Sequence, residues 1–290
     1  MATLNSMTGF GAATVNLEHG SISLELRAVN SRFLDLSFRM GDDFRALEPA
    51  IRERIGAAVK RGKMECRLYF SAKDAGPLPG AANPAVLEQL AELADQVRTV
   101  LPDARPLTVA EVLRWPGVLA EQSSDPGAMQ AAALTLLDGV VRDFNASRAQ
   151  EGGKLAAVIR QRVEALRALV ADLRPRTPEI VAAFRAKLAR RVEEIMQGAD
   201  PERIHQEVAL FAQKIDVDEE LDRLSTHLDE VERVLGQGGS AGKRLDFLMQ
   251  ELNREANTLG SKAAAMELSQ ASVEMKVLIE QMREQVQNLE

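Results

Sequence analysis

The sequence predicts an α+β fold: an N-terminal β-β-β-α-β domain, then a largely helical middle hairpin, then a helical C-terminal domain. Three observations predict it. Apolar and polar residues alternate over 21–28, 34–39 and 63–70, the period of half-buried strands. Between the last two, Phe44, Leu47, Ile51, Ile55 and Val59 recur at steps of three and four, the period of a helix. From about residue 128 to the C-terminus the helical period is almost unbroken. The expected domains are 1–147, a basic hairpin over 148–200, and 201–290 with the candidate site helix.

Residues 5–17 hold Met7-Thr8-Gly9-Phe10-Gly11 and then Ala13-Thr14-Val15, a strand bent at its glycines, and His19-Gly20 is a hairpin turn. In the second strand Ile22, Leu24, Leu26 and Ala28 face one way; in the third, Leu34, Leu36 and Phe38 do. Pro49 suits the first turn of the following helix, which Gly62 stops. Met64, Cys66, Leu68 and Phe70 line the inner side of the fourth strand, which makes Cys66 a small buried hydrophobe. Arg27, Arg32, Arg61, Lys63 and Arg67 can gather on the polar sheet face, as solvated charges or as phosphate contacts.

Asn83 and Pro84 open a helix with a Leu87, Leu90, Leu93, Val97 face, Thr108 caps a short one, and Trp115 is expected as a packing anchor. A long helix from 128 should end at the joint Arg174-Pro175-Arg176-Thr177-Pro178, where a second helix starts. Asp200-Pro201 opens the last domain, with Val208, Phe211 and Ile215 as core positions. Asp216 is expected to cap the next helix, with Glu219 at the capping-box position. That helix carries Leu221, Leu224, Leu228, Val231 and Leu235; the final one, over 264–289, carries Val273, Val277, Ile279, Met282 and Val286.

Composition bounds the function. Net charge is −7, which argues against a generic polyanion binder, and 4% aromatics implies helix packing through small residues. The charge is uneven: residues 201–290 hold 18 acidic and 10 basic side chains, whereas 148–191 hold 11 basic and 4 acidic. Such asymmetry fits attraction between subunits, or a polyanion channel beside an acidic metal site. One cysteine excludes an internal disulfide framework, and no apolar run is long enough to cross a bilayer. With no secretory signal evident, the expected location is the cytoplasm, with no membrane partner.

The stretch richest in chemistry is residues 242–263. Leu245, Leu248, Leu252, Ala256, Leu259 and Ala263 form one apolar stripe. Asp246, Gln250, Asn253, Arg254 and Asn257 lie along one flank, and Glu251, Glu255, Thr258 and Lys262 along the other. Gly260 interrupts the end of the helix. Among three histidines, His227 alone sits among acids and an arginine, with Glu219 and Arg223 at successive steps of four. Asp246, Glu251 and Glu255, with Glu219 or Glu280, can hold a hard divalent ion that activates water at a phosphodiester. Arg254, Lys262 and Arg223 can offset phosphate charge, while Asn253 and Asn257 can reach sugar or base edges. A solvated or subunit-contacting face is the competing explanation of the same residues.

Longer motifs run collinearly along the chain: Ser6-Met7-Thr8-Gly9-Phe10-Gly11, Arg27-Ala28-Val29-Asn30-Ser31-Arg32-Phe33-Leu34-Asp35 and Arg61-Gly62-Lys63-Met64-Glu65-Cys66. They continue in Leu113-Arg114-Trp115-Pro116-Gly117-Val118, in Glu219-Glu220-Leu221-Asp222-Arg223-Leu224 with His227, in 242–262, and in 279–290. Together they carry a resemblance to the YicC/YloC-type endoribonucleases. The resemblance implies an enzyme that cuts single-stranded or structured RNA internally, needs a divalent cation (Mn2+ or Mg2+), and assembles as a ring-like homo-oligomer, a hexamer. Motif membership together with chemistry assigns His227, Glu251 and Arg254 to catalysis, and Asp246, Glu251 and Glu255 to the metal. RNA contacts fall to Arg27, Arg32, Arg61, Lys63, Arg223, Lys243, Arg244, Asn253, Asn257 and Lys262. The alternatives are a non-catalytic oligomeric RNA clamp or chaperone and a helical scaffold.

Overall fold

In the computed structural model the described residues are 3–18, 20–73, 82–119, 126–195, 216–263 and 265–290. His19, His205 and the helix expected over 201–215 lie outside them, as does most of the loops expected at 74–82 and 121–127.

The alternating segments form four strands, β1 (Gly9–Leu17), β2 (Gly20–Val29), β3 (Leu34–Met40) and β4 (Gly62–Ala72), in one mixed sheet of order β1-β2-β4-β3. β3 and β4 are parallel, with Leu36 opposite Met64 and Phe38 opposite Cys66. Parallel neighbours need a crossover. A 3-10 turn (Asp42–Leu47) and α1 (Glu48–Ala58) supply it, with Pro49 in the first turn of α1. α2 (Pro84–Val100), capped by Asn83 accepting from the Ala85 N–H at 3.1 Å, and α3 (Val109–Leu113), with a Thr108/Glu111 capping box, follow.

The chain divides into two compact units, Phe10–Ala28 with Arg32–Phe144, and Met1–Gly9 with Val29–Ser31 and Asn145–Glu290. In the first, Ile22, Leu24, Leu26, Met64, Cys66 and Leu68 of the sheet share a core with Ile51 and Ile55 of α1. Leu137, Val140 and Phe144, from the start of α4 (Pro126–Ile195), complete it. Fully burying each such side chain stabilises by about 1.5–3 kcal/mol. Burial pushes the Cys66 thiol up to about 12. Trp115 is not the packing anchor expected of it. It is 48% exposed and lines an apolar groove between α2 and α3 with Leu90, Leu93, Val97 and Leu107.

The joint expected at 174–178 does not form. α4 runs unbroken from Pro126 to Ile195 with Pro175 and Pro178 inside it, so the described residues of 148–200 make one helix and no hairpin. An interior proline costs about 3 kcal/mol or more. What offsets it is a buried stripe that stays in phase through both prolines: Leu166, Val170, Leu173, Thr177, and partly buried Ile180. Thr177 Oγ1 donates to the Leu173 carbonyl at 3.0 Å, bonding within the turn that the prolines disturb.

The second unit packs α4 against α5 (Asp218–Gln237), α6 (Gly242–Lys262) and α7 (Met266–Val286), with α6 in contact with both α5 and α7. The expected stripes of α5 and α6 are buried. In α7 the expected phase is corrected: Leu268, Met275, Ile279, Met282 and Val286 are buried, while Val273 and Val277 are exposed. The buried set keeps steps of four, three and four from Met275 on, and the two valines fall on the opposite side. Gly260 does not interrupt α6. A Cβ there would stand 2.5 Å from Ser272 Oγ, so glycine permits the close approach of α7. Asp216 accepts from the Asp218 N–H at 3.0 Å as a cap would, but Glu219 pairs with Arg223 rather than closing a capping box.

Both terminal motifs meet in this unit. Ser6 bridges Leu289, the Met7 N–H donates to the Asn288 carbonyl at 2.8 Å, and buried Arg148 donates to the Ser6 carbonyl at 2.8 Å and pairs with Glu290. The arginines spaced by seven, Arg160, Arg167 and Arg174, pair with Glu232, Asp229 and Asp222 of α5 at 3.4, 2.7 and 2.8 Å. This part of the charge asymmetry is therefore satisfied between two helices of one chain. Exposed pairs of this kind contribute about 0–1 kcal/mol each, so they align α5 on α4 more than they stabilise it.

Candidate active site

α5 and α6 run antiparallel, joined by a short loop with Gly238 and Gly239 at positive φ, where a side chain would be strained. Their apolar stripes face inward, so the polar residues beside those stripes meet along one seam. Arg223 lies 3.7 Å from Glu255, Glu219 and Glu255 together hold its guanidinium charged, and Glu230 lies 3.2 Å from Arg244. Between these two contacts, His227, Glu251 and Glu255 converge, each offering one ligand atom within 4.8 Å of the others. Glu255 is buried; His227 and Glu251 are half-buried. Four-residue spacing puts Glu251 and Glu255 on one face of α6, and His227 reaches them from α5.

This donor set fits a divalent cation. One imidazole and two carboxylates suit a divalent metal that accepts both nitrogen and oxygen. Arg254 is exposed and 3.8 Å from Glu251. Asp246 is not in this group. It accepts from Gln250 at 2.9 Å and lies 3.8 Å from Arg283 of α7. The two polar flanks of α6 thus serve different neighbours, the Glu251/Glu255 flank facing α5 and the Asp246 flank facing α7.

The expected RNA contacts fall on both units. Lys243, Arg244 and Asn257 are exposed and Asn253 half-buried. The Lys262 ammonium lies 2.9 Å from buried Glu220 and donates to the Asp216 carbonyl at 2.9 Å, tying the end of α6 to the start of α5. On the separate sheet unit Arg27 pairs with Glu25 and sits 5.4 Å over the Phe10 ring, and Arg32 sits 5.3 Å over Phe33. Lys63 is exposed and Arg61 half-buried. The sheet face is mixed in sign: Glu65 pairs with Arg67 at 2.9 Å and Arg39 at 2.6 Å, and the Arg67 hydrogen bond holds its carboxyl below the usual range.

Two seam residues carry no assignment from the sequence, Glu230 and Phe247. Glu230 accepts two hydrogen bonds from Arg233, both 2.6 Å, and one from Arg244; Arg233 above all holds its carboxyl down at about 2. Phe247 lies off the apolar stripe of α6 and is 48% exposed, with Arg244 5.6 Å over its ring. The sequence signal for Phe247 is that phase mismatch.

Fold and site define an α+β chain whose helical unit holds a one-imidazole, two-carboxylate group suited to a divalent cation. Comparison with known proteins makes the class specific. Residues 4–157 match the model of the endoribonuclease YicC-like N-terminal region, and 173–290 that of the endoribonuclease YicC-like C-terminal region. The chain belongs to the YicC-like endoribonuclease family. It is 39% identical over 285 residues to a probable endoribonuclease YicC of Haemophilus influenzae, covering 98% of this chain and 99% of the relative. It is 26% identical over 290 residues to a probable endoribonuclease YicC of Clostridioides difficile, covering 98% and 99%.

Proposed function

We propose that this chain is a divalent-metal-dependent endoribonuclease that cleaves RNA phosphodiester bonds internally, with its centre at His227, Glu251 and Glu255. The observation that carries the reading is the convergence of these three side chains, from two helices, within 4.8 Å. The names of the related proteins supply the substrate class. Glu251, Glu255 and His227 would hold Mn2+, and Asp246 would act from outside that group. The ion, when bound, supplies a water of lowered pKa and offsets charge on the phosphate. Arg223, at one end of the trio, and Arg254, exposed beside Glu251, bring guanidinium charge to the scissile phosphate. Lys243, Arg244, Asn253 and Asn257 extend along α6 for the strand on either side. Arg27, Arg32, Arg61 and Lys63 offer further phosphate contacts on the sheet unit, so binding should weaken with salt.

A homo-oligomer acting in the cytoplasm is part of this reading. The exposed apolar surface around Leu93, Val97 and Trp115 supports subunit contact, because patches of that kind mark interaction sites. A count of six subunits rests on the resemblance alone. Among the described residues no helix is long and apolar enough to cross a membrane.

The test is cleavage of an end-labelled RNA by purified protein in Mn2+, in Mg2+ and in chelator, for wild type and Glu251→Ala, with assembly state checked by light scattering. Internal cuts by wild type in metal alone are expected. Tight, salt-sensitive binding without cleavage would replace the nuclease by an RNA clamp, and absence of RNA affinity would leave a scaffold.

A further inference from the structure

Beside the trio the α5/α6 seam opens into a groove of about 460 Å³ lined by His227, Glu230, Arg233, Arg244 and Phe247. His227 belongs to both groove and trio. Phe247 precedes Glu251 by four residues, so it lies on the same face of α6, about 6 Å further along the axis. A phenyl ring half in solvent on an otherwise polar strip costs hydration and does nothing for the core, whose α6 stripe is complete without it. Its ring is flanked by Arg244, and Arg244 and Arg233 share one carboxylate, Glu230. Two guanidiniums against one carboxylate leave a positive charge in the groove, since Asp229 at its edge is matched by Arg167 at 2.7 Å.

An exposed aromatic ring beside positive charge and one helical turn from a metal-binding trio has the chemistry of a nucleotide subsite. We propose that Phe247 is a stacking platform for one unpaired base next to the cut, with Arg244 and Arg233 on the adjoining phosphate. This rests on the nuclease reading above and adds a base-binding subsite to it. A base in a duplex presents no free face to the ring, whereas every unpaired base has one, so stacking needs an unpaired base and tolerates sequence. Glu230 acts as a positioning residue: it anchors both guanidiniums and leaves their remaining N–H groups for phosphate oxygens.

The experiment walks a single abasic site through a short end-labelled single-stranded RNA around its cut. Wild type should cut about 10-fold more slowly when the stacked base is missing and normally when the gap lies several positions away. Phe247→Ala should cut intact RNA at that slow rate and ignore the abasic site, while Phe247→Trp should restore both rate and discrimination. Stability of each variant in Mn2+ separates lost stacking from a damaged metal site. Equal rates for Phe247→Ala and wild type on intact RNA, or wild type indifferent to every abasic position, would overturn the proposal. Should wild type cut nothing, the nuclease reading falls by itself, and stacking is then decided by binding. Without metal, Phe247→Ala must hold intact RNA about 10-fold more weakly than wild type and abasic RNA equally well; equal affinities for intact RNA would overturn it.

Discussion

Replacing Glu251 by Gln should remove metal-dependent stabilisation without weakening the metal-free fold. The carboxylates of Glu251 and Glu255 offer oxygens no more than 4.8 Å apart, and at an effective dielectric of about 20 two unit charges at that distance repel by about 3.5 kcal/mol. Arg223, 3.7 Å from Glu255, offsets part of this. An ion at the trio turns the remaining repulsion into attraction. At an ion concentration about 100 times the dissociation constant, binding to the folded state alone adds about 2.7 kcal/mol. For a helical unit of this size that is roughly 5–10 °C in Tm. The assay is a circular-dichroism melt against Mn2+ concentration for wild type, Glu251→Gln and His227→Asn. Wild type should rise, both variants should stay flat, and Glu251→Gln without metal should melt no lower than wild type. A wild-type Tm indifferent to Mn2+, or an equal rise in both variants, would refute the reasoning.

Other consequences are structural. Lys262→Met leaves buried Glu220 without its ammonium and should destabilise by about 3–5 kcal/mol in urea unfolding, with much of the loss recovered in Lys262→Met/Glu220→Leu. Gly260→Ala puts a methyl 2.5 Å from Ser272 Oγ and should cost about 1–3 kcal/mol in a melt, less when Ser272→Ala accompanies it. Glu230, with its carboxyl held down at about 2 by Arg233 and Arg244, contributes stability that is present above its unfolded value near 4.5 and lost as pH falls through about 2. Glu230→Gln should therefore be less stable than wild type near neutral pH, and the gap should close towards pH 2. Cys66, buried with its thiol pushed up to about 12, should resist thiol reagents at neutral pH until the protein unfolds.

Much of the fold was legible because it obeys local periods. Alternation is a property of a single strand, and Ile22, Leu24 and Leu26 are buried as their spacing requires; the helical period does the same for Leu245, Leu248 and Leu252 on α6. Local signals misled where tertiary packing outweighed them. Pro175 and Pro178 spelled a break, but Leu173, Thr177 and Ile180 kept one stripe through them. Val273 and Val277 looked like core, yet Met275 and Ile279 hold the phase that faces α6. The site was half legible. Glu251 and Glu255 share a face by spacing alone, and His227 stood out among acids. That His227 meets those two carboxylates, while Asp246 turns to Arg283, depends on which flank of α6 each neighbouring helix covers. The same holds for Lys262 and Glu220, 42 residues apart.

The most direct measurement is single-turnover cleavage of a single-stranded RNA recorded against Mn2+ occupancy in the same preparation, for wild type, His227→Asn, Glu251→Gln and Glu255→Gln. Cleavage should rise in step with occupancy of one ion per chain, and each variant that loses the ion should lose the cut. Full cleavage by wild type stripped of metal, or by variants that bind none, would contradict the assignment of the α5/α6 trio as the catalytic centre.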